Sequence, residues 1–269
     1  MALAPVPQHP APPTEDDQDL DDLGGKMSFL EHLDELRKRL IVSVSSLLIG
    51  FVVGLVFIDR IFAFIMRPLQ AVVPNGGKLI YTEPTEAFML YMKIAALVGL
   101  FLAAPVILYQ LWLFVAPGLY AHEKRLAIPF VFFSTIFFLL GAAFSHFVVF
   151  PWAWQFFAQF TTDYMQFTPR IAPTFSLYVR MLLGLGAVFE MPTLVLFLAR
   201  IGVVTPRLLW RNFKYAILII FIVAAIITPD PNPVSQVLVA GPMVALYLFS
   251  IAVAWIFGKK KAASSAEAS

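Results

Sequence analysis

The sequence predicts an all-α membrane protein of six transmembrane helices, with both termini on one side of the bilayer. Three observations predict it. Of the 269 residues, 60% are hydrophobic and only 13% charged, against roughly 45–50% and about 25% in soluble domains, and the mean hydropathy is +0.82. The charges are bunched, which leaves six long apolar runs between them. Lys and Arg are shared unequally between the segments that join those runs. Other classes drop out early. With no Cys there is no disulfide scaffold, thiolate metal site or cysteine nucleophile. A net charge of +2 from 19 basic and 17 acidic residues is too balanced for a nucleic-acid binder.

Residues 1–26 read as a disordered acidic, proline-rich tail: five prolines and six acids between Glu15 and Asp22 leave little to bury. No basic stretch, apolar core and small-residue cleavage site occur there, so no cleavable leader is expected. The membrane domain is expected over 27–258. Ser28 with Glu31 three residues on forms a capping box, so a helix begins here. Leu30, Leu33, Leu36 and Leu40 fall on one stripe of it, and Glu31, Asp34, Glu35 and Lys38 on the other side. About 20 apolar residues cross a bilayer, which places the first span over about 40–58. Residues 59–86 carry Phe62, Phe64 and Pro68 and read as an amphipathic interfacial segment or a plain aromatic belt.

The second span is expected over 94–114, in an uncharged run from Ile94 to His122 that Pro117-Gly118 ends. The third, over 127–150, is expected to stop near Phe150-Pro151, because the run Leu126–Thr162 exceeds one span. The segment 151–174 again carries aromatics, Trp152, Trp154, Phe156, Phe157 and Phe160 among them. The fourth span, 175–199, has Arg180 near one end and Glu190 inside, with Pro192 expected to bend it. The fifth, 214–228, holds only 15 uncharged residues, roughly 22 Å of helix against a ~30 Å hydrocarbon core. Either its neighbours absorb the mismatch or the membrane thins locally. The sixth is 234–257, and 259–269 is a polar tail.

Orientation follows from the cations. The side shared by the termini carries Lys26, Arg37, Lys38, Arg39, Lys124, Arg125, Arg200, Arg207, Arg211, Lys214 and Lys259–Lys261, thirteen in all. The opposite side carries Arg60, Arg67, Lys78, Lys93, Arg170 and Arg180, six. Both termini are therefore expected in the cytoplasm.

Catalysis has little support. HExxH, P-loop and GxSxG motifs are absent, and His9, His32, His122 and His146 are scattered, so neither an active site nor a metal or cofactor is expected. The informative groups are acids. Glu35 and Glu123 are either a carboxylate pair for a cationic ligand or, in the case of Glu123, an acid favoured by a helix's first turn. Glu190 is a functional candidate because intramembrane charge is costly, or a buried, protonated structural acid. As the ion site of a proton-coupled small-solute transporter, it would make that class the rival reading. Thr228 and Gln236 leave polar groups at the ends of the fifth and sixth spans that seek partners, although capping accounts for Thr228 equally well.

The run Phe29-Leu-Glu-His-Leu-Asp-Glu-Leu-Arg-Lys-Arg-Leu40 resembles the N-terminal signature of TatC, the multispanning receptor subunit of the twin-arginine protein translocase. The likeness continues through residues 104–125, Phe147-Val-Val-Phe-Pro151, Phe189-Glu-Met-Pro192 and the Thr228-Pro turn leading to Ser235-Gln236, covering roughly 27–257. It implies a concave, glove-like bundle of six helices with short fifth and sixth members, in the bacterial inner membrane. It implies recognition of twin-arginine signal peptides on folded proteins, TatA-type single-span partners often joined by a TatB-type one, self-association in the receptor complex, contact with membrane lipids, and transport driven by the proton-motive force. By resemblance Glu35 and Glu123 are the signal-peptide carboxylates, with Phe114, Leu36, Arg37 and Arg39 beside them. Pro68 is the loop proline, Glu190 the mid-membrane acid, and Thr228 and Gln236 the docking site for partner helices. The chain departs from the family pattern at Asn232, where an aspartate is frequent and Asp230 stands nearby instead, and at His146, where an aromatic is common. The chemistry is apt: two guanidinium forks want planar carboxylates, and lysine does not reproduce the fork.

Overall fold

In a computed structural model of the chain, the described residues are 29–70, 79–115, 127–162, 164, 167–228 and 233–258. Both expected tails, Glu123, Asp230 and Asn232 lie outside them. The described residues are built from helices: α1 (Phe29–Val56), α2 (Ile58–Gln70), α3 (Pro84–Val115), α4 (Ala127–Phe144), a π turn (Ser145–Val149), α5 (Phe150–Ala158), α6 (Ile171–Phe189), α7 (Met191–Arg200), α8 (Pro206–Arg211), α9 (Phe213–Ile227) and α10 (Pro233–Phe257). Five continuous or jointed helices have the length and composition to cross a membrane, and α9 is a shorter sixth. The six expected spans are present, in order.

The helices differ from expectation at three points, each for a physical reason: the start of the second span, the end of the third and the length of the sixth. The second span begins ten residues early, at Pro84. Counting uncharged residues stopped at Lys93, but Glu86 in the first turn of α3 is neutralised by Arg170, Nη2 to Oε1 at 3.1 Å. The third span does not stop at Pro151. A π turn precedes it, with the Phe150 N–H donating to the Ser145 carbonyl, and this looser turn admits the proline ring without ending the rod. The fourth span runs from Ile171 to Arg200 with a joint at the expected place. Glu190 sits between α6 and α7 at φ −69°, ψ −13°, two residues before Pro192, whose missing N–H and bulky ring interrupt the ladder. The sixth helix is not short: α10 has 25 residues, roughly 37 Å. It runs through Pro242 because Val239, Ala240 and Met243 around the proline are buried and packing holds the freed backbone in place.

The core lies where α3, the α4–α5 rod, α6, α9 and α10 meet, around Ile94, Phe150, Phe175, Met181, Leu185 and Met243, all fully buried. The interfacial segment forms an amphipathic helix, α2, which buries Ile65, Met66 and Leu69. The two long connections are tied to each other. Ile80 donates to Pro169 and Ile171 donates to Ile80, at 3.2 and 2.9 Å, and Arg170 also donates to Thr82 at 2.5 Å.

Candidate functional site

The widest helix contact is α1 against α3, and it is glycine-set. A Cβ on Gly99 would lie 2.7 Å from the Phe51 nitrogen, and one on Gly50 2.8 Å from the Gly99 Cα. This close approach continues to the ends of the two helices, where it joins residues about 70 positions apart. Arg39 uses both prongs of its fork: Nη2 donates to Glu35 Oε1 at 3.0 Å and Nη1 to Gln110 Oε1 at 3.2 Å. One helical turn away on each helix, His32 stacks on Phe114 with centroids 4.4 Å apart and planes 22° apart. Glu35 and Phe114 therefore share one end of the α1–α3 pair. The Glu35 side chain keeps 19% of its exposure, so the carboxylate is oriented yet reachable.

Around this point the predicted residues sort into two faces. Arg39 is engaged, whereas Arg37 is exposed; the two are not equivalent. Asp34 and Lys38 pair at 2.7 Å on the outer side, a solvated i,i+4 contact of small worth. Leu33, Leu36 and Leu40 remain 43%, 42% and 58% exposed, an uncovered apolar track beside the carboxylate. Glu123 lies outside the described residues, so the expected pairing of two carboxylates has no geometry here.

The remaining predicted residues fall elsewhere. Glu190 accepts a short hydrogen bond from the Ser134 hydroxyl through Oε2, while its buried Oε1 has no partner among the described residues. Thr228 is buried and donates to the Ala224 carbonyl at 2.8 Å. Gln236 crosses from α10 to α9, its Nε2 donating to the Phe221 carbonyl at 2.8 Å. Both are occupied within the chain. Pro68 is half-buried near the end of α2, four residues after Phe64, whose ring stacks on His146 at 4.4 Å. His146 is buried in the π turn with Nδ1 3.1 Å from the Tyr178 hydroxyl, so it does an aromatic's stacking while answering a hydroxyl.

Sequence reasoning missed Gln110, His32, Ser134 and the Glu86–Arg170 clasp. All act through contacts 56 to 84 residues apart or, for His32, through a ring stack across two helices, and no local pattern announces those. Among the described residues no group of three His, Asp or Glu side chains is placed to hold a metal.

A family model described as Sec-independent protein translocase protein (TatC) matches residues 31–242. The chain is 44% identical over 243 residues to the Sec-independent protein translocase protein TatC of Desulforapulum autotrophicum, covering 90% of each. It is 45% identical over 223 residues to the TatC of Helicobacter pylori, covering 83% of this chain and 87% of that one. A solved structure titled as the twin arginine translocase receptor TatC in DDM superposes with a TM-score of 0.74 at 39% identity, covering 86% of this chain and all of the other. A second structure of that receptor gives 0.73 at 38%. Nothing in these comparisons supports the solute-transporter reading. With six apolar helices and relatives of this kind, the chain is a multi-pass membrane protein and belongs to the TatC family of Sec-independent protein translocase proteins.

Proposed function

We infer that the end of the α1–α3 pair is the receptor surface for twin-arginine signal peptides of folded cargo, and that this chain nucleates a translocation complex there. The observation that carries the reading is the placement of Glu35 and Phe114 at the same end of the α1–α3 pair. A reachable carboxylate, held by the Arg39 fork, stands next to an aromatic ring and an uncovered leucine track. One signal-peptide guanidinium pairs with Glu35 and the second with Glu123, while the peptide's apolar stretch lies along Leu33, Leu36 and Leu40. Arg37, exposed beside the track, repels basic residues in the wrong register. A charge-assisted hydrogen bond is worth about 1.5–3 kcal/mol, so losing one carboxylate weakens binding by about tenfold or more.

In this reading the carbonyl-bound Thr228 and Gln236 mark where TatA-type or TatB-type helices dock, Pro68 sets the outer α2 cap, and Glu190 is the mid-membrane acid. Transport draws on the proton-motive force, and the chain acts as a receptor in a self-associating complex and not as an enzyme. The cation excess of thirteen against six supports an orientation with both termini in the cytoplasm, and the bacterial relatives support an inner-membrane location.

The test is site-specific photocrosslinking of a twin-arginine signal peptide to the full chain in membranes, with a Lys-Lys peptide as control. Crosslinks should cluster near Glu35 and Phe114, and disappear with the Lys-Lys peptide and with Glu35→Gln or Glu123→Gln. Crosslinks indifferent to the arginines would refute the assignment.

A further inference from the structure

A cavity of about 390 Å³ opens among the ends of α3, α4, α7 and α10, within the range of about 300–1,000 Å³ typical of ligand sites. Its walls are aromatic: Trp112 stacks on Phe130 at 4.2 Å and meets Phe197 edge-on at 4.5 Å. One charged group interrupts them at one end: Arg200, the last residue of α7, whose guanidinium lies over the Phe257 ring at 5.7 Å. Among the described residues no carboxylate lines the cavity.

The guanidinium carries a positive charge and only donors, so that end of the cavity suits a negatively charged group rich in acceptors. The rest of the lining suits hydrocarbon. The two characters are separated along the helices: Arg200 and Phe257 stand at the ends of α7 and α10, while Phe249 lies two turns away, roughly 12 Å along α10. The volume admits no more than about one turn of a helix ~10–12 Å across, so the occupant is an extended chain and not a transmembrane segment. We propose that this cavity is a binding site for one anionic glycerophospholipid, with its phosphodiester on Arg200 and an acyl chain running inward past Thr193 toward Phe249. The proposal is independent of the signal-peptide reading, since neither Glu35 nor Phe114 contributes to the cavity.

Native mass spectrometry of the full chain, released from micelles containing equal amounts of dioleoyl phosphatidylglycerol and dioleoyl phosphatidylcholine, tests it. The unaltered chain should retain one phosphatidylglycerol in preference to phosphatidylcholine. Arg200→Gln should lower that retention about fivefold, the effect of one arginine near an anionic headgroup, while Arg207→Gln, an exposed arginine on α8, leaves it unchanged. Val253→Trp, which fills the cavity, should abolish retention of either lipid. Since Val253→Trp risks misfolding, the headgroup preference and the Arg200→Gln result decide the matter by themselves. Equal retention of the two lipids by the unaltered chain, or undiminished phosphatidylglycerol on Arg200→Gln, would overturn the site.

Discussion

Arg39 spans a helix interface with a single planar group, and that geometry makes a discriminating prediction. Its two terminal nitrogens hold Glu35 and Gln110 at once, which an ammonium on a flexible stem does not reproduce. Arg39→Lys should therefore behave like Arg39→Gln in peptide affinity, each weakening a twin-arginine peptide about tenfold, the loss of roughly one oriented charge-assisted bond. Stability should change little, because a partly exposed i,i+4 pair is worth only about 0.3–0.5 kcal/mol. Titrating labelled peptide onto each variant in detergent, alongside unfolding curves, separates the two effects; full affinity in Arg39→Lys would show that charge alone suffices. At this scale the sequence was half legible. Glu35 and Glu190 stand out as an acid in an amphipathic helix and an acid in hydrocarbon, while Phe114 is marked only by the family resemblance. Their partners Arg39–Gln110, His32 and Ser134 emerge only when helices distant in the chain are laid together. The inequality of Arg37 and Arg39 is of that kind too, since both are cations on the same short run and only the α3 contact tells them apart.

Among the elements, α1 and α3 matter most, since the receptor surface proposed above requires that the two stay in contact. Gly99 offers the tightest approach, and the atoms a methyl would meet, the Phe51 nitrogen and the Leu47 carbonyl at 2.7 and 2.9 Å, belong to backbone that cannot swing aside. Gly99→Ala should force the pair apart, cost about 1–3 kcal/mol as overpacking does, and weaken peptide binding although the site is more than two helical turns away. Ser45→Ala, on the exposed side of α1, should do neither; thermal melts in detergent with parallel peptide titrations provide the comparison. An unaffected Gly99→Ala would mean that α1 is free to slide without moving Glu35 from Gln110. Element boundaries show where sequence reasoning loses its grip. Charge-free runs located α9 and α10 to within a residue or so, because the one charge in α9, Lys214, lies in its first turn, no proline breaks it, and packing carries α10 through Pro242. The same criterion shortened α3, where Glu86 is answered by Arg170, and misjudged Pro151, where a π turn supplies the slack that an α-helix lacks. A charge or a proline ends a helix only when nothing nearby compensates for it.

For the molecule as a whole, the lengths of the spans are unequal, and the inequality is concentrated in one place. The α9 helix has 15 residues, roughly 22 Å, beside α10 at 25 residues, roughly 37 Å. A short helix packed on a long one does not thin the bilayer on both sides of the pair. Any thinning is confined to the lipid-facing side of α9, where Leu218, Ile219, Ile222 and Ile226 are exposed. If that side matters to passage of cargo, inserting seven apolar residues after Tyr215 should abolish it. Seven residues are nearly two whole turns, so the added length leaves Phe221 and Thr228 in register with Gln236 while bringing α9 to roughly 33 Å. A mismatch cost of a fraction of a kcal/mol per Å, over the ~10 Å removed, predicts at least a tenfold fall in transport by membrane vesicles. Signal-peptide crosslinking near Glu35, at the far end of α1, should persist. A seven-residue Gly/Ser insertion at Gly202, which lies in the turn before α8 at φ +81°, lengthens the connection but not the span and should leave transport intact. Full transport by the lengthened α9 would mean that the short span is a packing consequence of its neighbours, with no part in opening a path for cargo.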